Sequence, residues 1–213
     1  MAKQSVAKKE KEEPTQELQT MDRNYFESYG AQMSASNIVG QLLKFSKGDW
    51  LYGAEDDELK VGTKLTANMQ SLMVGWVKWV DNRPVEQLMG ALVEGFSPKR
   101  RSELGDHDED QWEVGTDGKT RDPWQFTNYL ILKPAGKKVS DEDLFTFSTS
   151  SRGGLNALGA LCKVYGKEMR TRPNMNPVVE LGVDSYNHPN KEFGRIKIPT
   201  FSVTGWEDKK TFA

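Results

Sequence analysis

Cysteine and histidine are nearly missing from this chain, with Cys162, His107 and His188 the only three such side chains in 213 residues. A single thiol excludes an intrachain disulfide and any cysteine zinc cluster, and with two histidines neither a zinc site nor a Ser-His-Asp triad can be assembled from the sequence. No apolar run approaches the roughly 20 residues that span a bilayer, and the start of the chain lacks the apolar core of a secretion signal. An excess of one charge is missing too: 29 Lys and Arg against 31 Asp and Glu leave a formal net charge of -2. The broad basic footprint of a nucleic-acid binder is therefore absent, and any polyanion must be held by a local patch. Together these absences point to a soluble chain in a reducing cytoplasm, away from membranes.

Large apolar groups are scarce between Lys3 and Gln19, where Lys, Glu and Gln dominate around Pro14. Such a stretch cannot bury enough surface to offset its ordering entropy, so residues 1–20 read as a disordered charged arm. Residues 21–213 read as a single domain, with Tyr25, Phe26 and Tyr29 able to anchor the arm. In that domain Gly153 to Arg170 repeats Leu155, Leu158, Leu161, Cys162, Tyr165 and Met169 at helical spacing. Cys162 lies on that apolar face as an ordinary core thiol. Strand-like runs flank the helix: Lys64 to Asp81, Phe126 to Leu132 and Leu144 to Ser150 before it, Val178 to Tyr186 and Arg195 to Trp206 after it. Pro199 places the last run at an edge or a bulge. Residues 84–123 form a long insertion, with a short helix expected over Val85 to Val93.

Three strands, a helix and two strands predict a mainly β (α+β) domain. The expected form is a five-stranded barrel of the oligonucleotide-binding (OB) type, with one helix between strands 3 and 4. A β-sandwich of the same strand count stays open, because spatial order is not written in periodicity. On such a barrel, bases stack on ring faces while Lys and Arg neutralise the backbone. The expected nucleic-acid contacts are Trp76 with Lys78, Tyr129, Phe147, and Tyr186 with Arg195 and Lys197. For any one ring, filling the interior is the competing reading. STSSRGG, Ser148 to Gly154, adds Arg152 at a helix start, where a phosphate oxygen could sit. An ordinary serine-capped turn is the equal alternative. The loop does not end in the Gly-Lys-Ser/Thr of a nucleotide-hydrolysing motif.

Asp106, Asp108 and Asp110 alternate ahead of Glu113 and Asp117. Calcium loops use such spacing, but Gln111 stands where they need glycine and Asp117 where they need glutamate. A solvated acidic loop answering Lys99, Arg100 and Arg101 is the expectation, with no metal, cofactor or catalytic residue. Asp122 to Trp124 reads as structural, with Asp122 capping a turn and Trp124 opening a strand.

GWVKWVDNRPVEQLMG, DPWQFTNYLIL, FSTSSRGG and GRIKIPTFSVTGW resemble segments of a group of uncharacterised tailed-phage and prophage proteins. The resemblance runs from about Gly48 to Trp206. It implies a replication, recombination or virion context in the host cytoplasm. Among phage products of this size, a single-stranded DNA-binding protein matches the expected barrel, with phage replication proteins or further copies of itself as partners. Those proteins often end in an acidic tail with a terminal aromatic, whereas this chain ends EDKKTFA, which leaves tail-mediated recruitment without support. The competing functions are a phage structural or assembly protein that binds no nucleic acid, and a metal-dependent nucleic-acid enzyme built on Asp106 to Glu113.

Overall fold

Alternation over Phe126 to Leu132 folds as expected, into a strand that pairs with three neighbours in the sheet. The computed structural model describes residues 38–115, 118–137, 140 and 143–212. The charged arm, its aromatic anchors and Asp117 lie outside the described residues, all of which belong to one compact unit, Ala35–Ala213. In chain order the strands are β1 Gln41–Ser46, β2 Asp49–Tyr52, β3 Asp57–Glu58, β4 Lys64–Ala67, β5 Met73–Val80, β6 Arg83–Ala91, β7 Glu113–Val114, β8 Thr120–Arg121, β9 Trp124–Pro134 and β10 Phe145–Thr149. Helix α1, Arg152–Glu168, follows, and then β11 Met175–Asn187 and β12 Arg195–Asp208. The chain is mainly β with one α-helix, and all five expected strand regions and the helix are present.

Two elements depart from expectation. Val85 to Val93 forms no α-helix: β6 pairs antiparallel with β5 from end to end with one bulge at Val85, and only Leu92–Glu94 makes a 3₁₀ turn. The cause is local. Asp81 and Asn82 both take left-handed φ, 50° and 58°, and so form the tight two-residue turn whose twist suits a hairpin. Second, the strand region from Lys64 to Asp81 is broken at Asn68–Leu72. β4 and β5 both run antiparallel to β9, with Ala67 opposite Leu132 and Met73 opposite Tyr129. Between them the chain swings out, and the Ser71 hydroxyl accepts from the Ile131 N–H at 3.0 Å in place of a backbone carbonyl. Asn68 caps the excursion by accepting from the Gln70 N–H.

That excursion forks the sheet. β4 passes on to β11 and β12, whereas β5 passes on to β6, and the main path reads β12-β11-β4-β9-β10-β1-β2-β3. The β10–β1 pair is parallel and the other pairs are antiparallel, so the sheet is mixed. It is also open. Among the described residues no ladder joins β12 to β10 or to β3, so the closed five-stranded barrel does not form. The parallel edge of β10 is taken by β1, whose hairpin partner β2 carries Trp50.

Trp50 supplies the curl that hydrogen bonding does not. It is fully buried, and its Nε1 donates to the Gly182 carbonyl on β11 at 3.1 Å. Its ring centroid lies 5.3 Å from Phe147 on β10 and 5.4 Å from Phe201 on β12. Opposite ends of the strand path thus meet over one indole. Leu158, Leu161 and Tyr165 of α1 complete the same core with Leu130, Leu132 and Leu181. The helix is capped by Ser151, whose Oγ accepts from the Gly154 N–H at 3.1 Å. Met169, expected on the buried face, is instead exposed just past the helix end. Cys162 is half-buried on α1, where burial pushes its thiol pKa up.

A buried charge ties the other side of the sheet. Lys133 on β9 is fully enclosed and donates to Glu207 on β12 at 3.1 Å and to the Lys137 carbonyl at 2.9 Å. Glu207 also accepts from the Thr66 hydroxyl on β4 at 2.8 Å and from the Gly136 N–H. Burial alone would raise the Glu207 pKa, but the Thr66, Gly136 and Lys133 donors outweigh it and hold the carboxylate below its usual range.

Replacing Trp50 with Ala should cost about 3–5 kcal/mol, because a large cavity opens where the two ends of the path meet. Denaturant unfolding of the full chain reads this directly. A loss under about 1 kcal/mol would mean that the curl does not depend on this ring.

Candidate functional site: the loop-covered end of the sheet

Past the fork, the core-facing side of β5 and β9 continues as Trp76, Lys78, Phe126 and Trp124, set in register as cross-strand pairs. The chain that leaves β6 folds back over these side chains. Trp76 packs edge-on against Phe126 with centroids 5.3 Å apart and donates to the Lys99 carbonyl at 2.8 Å. Leu104, within this loop, is buried. Asp106 then closes it. Its carboxylate accepts from Lys78 Nζ at 2.9 Å and from Trp124 Nε1 at 2.9 Å. Its carbonyl accepts from Arg101 and from Trp112 Nε1, each at 2.9 Å.

Asp106 has φ of 60°, a left-handed conformation uncommon for a residue other than glycine, which persists where contacts over-determine it. The Lys78 and Trp124 hydrogen bonds pull its pKa below the ordinary carboxylate range. Arg101 is anchored in turn by a two-pronged contact to Asp122, at 2.6 and 2.9 Å. Asp122 also accepts from the Trp124 N–H at 2.9 Å, so it caps the turn that opens β9, as its sequence context predicted.

Between this loop and the β5–β6 turn lies a pocket of about 690 Å³. Trp79 and Trp112 contribute to its walls, with Asp108, Glu113 and Arg121 around them. Glu113 is held there because its Oε1 accepts from the Asp81 N–H at 2.8 Å.

The residues expected to touch nucleic acid do not form one surface. Phe147 is fully buried in the Trp50 cluster and Tyr129 is 7% exposed, so neither offers a ring face to a base. The reason is alternation: Phe147 shares the inward face of β10 with Phe145, opposite Leu130 and Leu132. Trp76 and Lys78 do lie side by side, but both fasten the loop. Tyr186 is 46% exposed and stands opposite Ile196, on the other sheet face from Arg195 and Lys197. Arg195 donates to the Ser185 hydroxyl at 2.7 Å. Lys197 runs its stem over Gly48, a position with φ of 107° that leaves no room for a Cβ.

Arg152 is exposed at the start of α1, while the hydroxyls near it are spent internally. Ser151 caps the helix, Thr149 contacts Ser151 at 3.2 Å and Ser150 bonds Gln125 at 3.3 Å. The acidic run is not simply solvated, since Asp106 is committed to Lys78 and Trp124. Among the described residues no three His, Cys, Asp or Glu side chains converge as a metal site. No helix among them is long and apolar enough to cross a membrane.

Sequence reading passed over Trp79 and Trp112, whose role depends on how the loop folds back. Comparison with protein-family models, with curated proteins and with solved structures finds no match to this chain.

Acid should loosen the fold at two places, the loop closed by Asp106 and the Lys133–Glu207 contact on the other side of the sheet. Asp106 and Glu207 are both held below their unfolded values, so their stabilisation is complete above those values. It is lost as pH falls below about 4 and through the folded pKa values. Thermal unfolding between pH 7 and pH 2.5 should show a falling midpoint below pH 4. A flat profile over that range would remove both carboxylates from the stability balance.

Proposed function

We propose that the chain is an OB-type protein that holds single-stranded DNA, in a phage replication or recombination setting. One observation carries the reading. The path β12-β11-β4-β9-β10, with α1 between β10 and β11, runs in the strand order 5-4-1-2-3 of that architecture, with the helix in its expected place. The β1–β2 hairpin stands where strands 3 and 5 would meet, and Trp50 draws the two ends inward in place of a closing ladder. The phage setting rests on the sequence resemblance.

The contact surface shrinks in this reading. Arg152, Arg195 and Lys197 remain as exposed cations, and Tyr186 remains as an exposed ring. Three cations on a single strand give a log–log salt slope of about -2. Binding of this kind is weak and salt-sensitive. A second reading is favoured by a separate observation: Tyr129 and Phe147 are core, and the long polar loop is ordered by ion pairs. Those features suit a phage structural or assembly protein whose loop is a contact surface. The metal-dependent enzyme reading loses Asp106, whose carboxylate is committed to Lys78 and Trp124.

Anisotropy of a labelled oligothymidylate decides between the two. At low salt the full chain should bind with a slope near -2, and Arg152→Ala, Arg195→Ala and Lys197→Ala combined should abolish most of that slope. No binding at low salt, with stable self-association of the chain, would transfer the assignment to the assembly reading.

A further inference from the structure

The geometry points to the pocket beside Asp106 as a binding site for a guanidinium group, a function independent of the oligonucleotide reading. The pocket is about 690 Å³, well within the range of small-ligand sites. Its charged lining is lopsided: Lys78 and Arg121 stand against Asp106, Asp108, Glu113 and Asp122. Lys78 is already paired with Asp106, and Arg101 from behind is paired with Asp122. The surplus is therefore Asp108 and Glu113, with Arg121 across from Glu113 in the β7–β8 register as the one lining cation that opposes them. Each surplus carboxylate gives one oxygen to a neighbouring backbone N–H, Asp108 to Asp110 and Glu113 to Asp81. The second oxygen of each has no partner among the described residues.

The two indoles narrow the chemistry. Trp112 spends its N–H on the Asp106 carbonyl. Trp79 has its N–H closed off from solvent with no partner. Both indoles line the pocket, and the negative face of such a ring attracts a cation. A lining with two carboxylates beyond its ion pairs and two indoles does not suit a phosphate or a carboxylate. It suits a flat cation that donates sideways to carboxylates while its plane lies on a ring, which describes guanidinium better than ammonium.

The test uses the full ¹⁵N-labelled chain and N-acetyl-arginine amide, read by calorimetry and by the indole N–H signals of Trp79 and Trp112. Saturable binding that shifts both signals is expected. N-acetyl-citrulline amide has the same shape without the charge and should bind at least tenfold more weakly. Asp108→Asn with Glu113→Gln keeps both backbone-facing acceptors and should weaken arginine binding at least tenfold with the thermal midpoint unchanged. A capped Gly-Arg-Gly peptide separates sources: tighter binding than the amide supports a polypeptide partner, and equal binding supports a small guanidine. Equal affinity for arginine and citrulline, no saturation at tens of millimolar, or preferential binding of uridine would overturn the assignment. The citrulline comparison stands on the unaltered chain, so it holds even if the double variant misfolds.

Discussion

Asp106 sets the shape of everything outside the central core. One residue gathers Lys78 from β5, Trp124 from β9, Arg101 from the loop and Trp112 from further along it. Two of these contacts reach the carboxylate and two the backbone carbonyl. The exposed ion pair itself is worth only about 0–1 kcal/mol, so it is the set of four that offsets a left-handed backbone costing about 1–3 kcal/mol. The pocket wall, the burial of Leu104 and the position of Trp112 all follow from that closure. So does the loss of Trp76 and Lys78 as open contacts, since the loop they fasten lies on top of them.

The place where Asp106 acts is created by the fork at Asn68–Leu72. Had β4 and β5 run on as one strand beside β9, its outer edge would carry a single neighbour and the curl would be uniform. Instead the chain leaves β9 for a few residues, and Ser71 keeps the Ile131 N–H satisfied during the detour. One branch rolls towards Trp50 and the helix. The other leaves as a hairpin whose inner face needs a cover, and the loop provides it. Lys133 and Glu207 hold the rolled branch from the opposite side, a pairing that buries a full charge only because Thr66, Gly136 and the Lys137 carbonyl complete its hydrogen bonds.

Much of the fold is legible in the sequence because its signals are local. Period-two alternation in β9 and β10 and the Leu158-Leu161-Tyr165 stripe of α1 survive into the structure unchanged. β6 is not legible by spacing alone: Leu88, Met89 and Leu92 suit a helix, but the Asp81-Asn82 turn and pairing with β5 override them. Nor is closure legible, because whether β10 pairs with β1 or β12 is decided by residues about fifty to a hundred positions apart. The site divides the same way. Asp122 as a cap and Trp124 as a strand start can be read directly. The inward turn of Phe147 was also readable, from its shared parity with Phe145. The meeting of Lys78 with Asp106 depends on a loop path that no short-range pattern encodes.

Hydrogen exchange on Asp106→Gly tests the central claim most directly, because glycine keeps the left-handed backbone and removes only the carboxylate. The account predicts that amides of residues 99–113 exchange about tenfold faster or more, while β10 and α1 keep their protection. Unchanged protection across the loop, or an equal loss throughout the sheet, would contradict it.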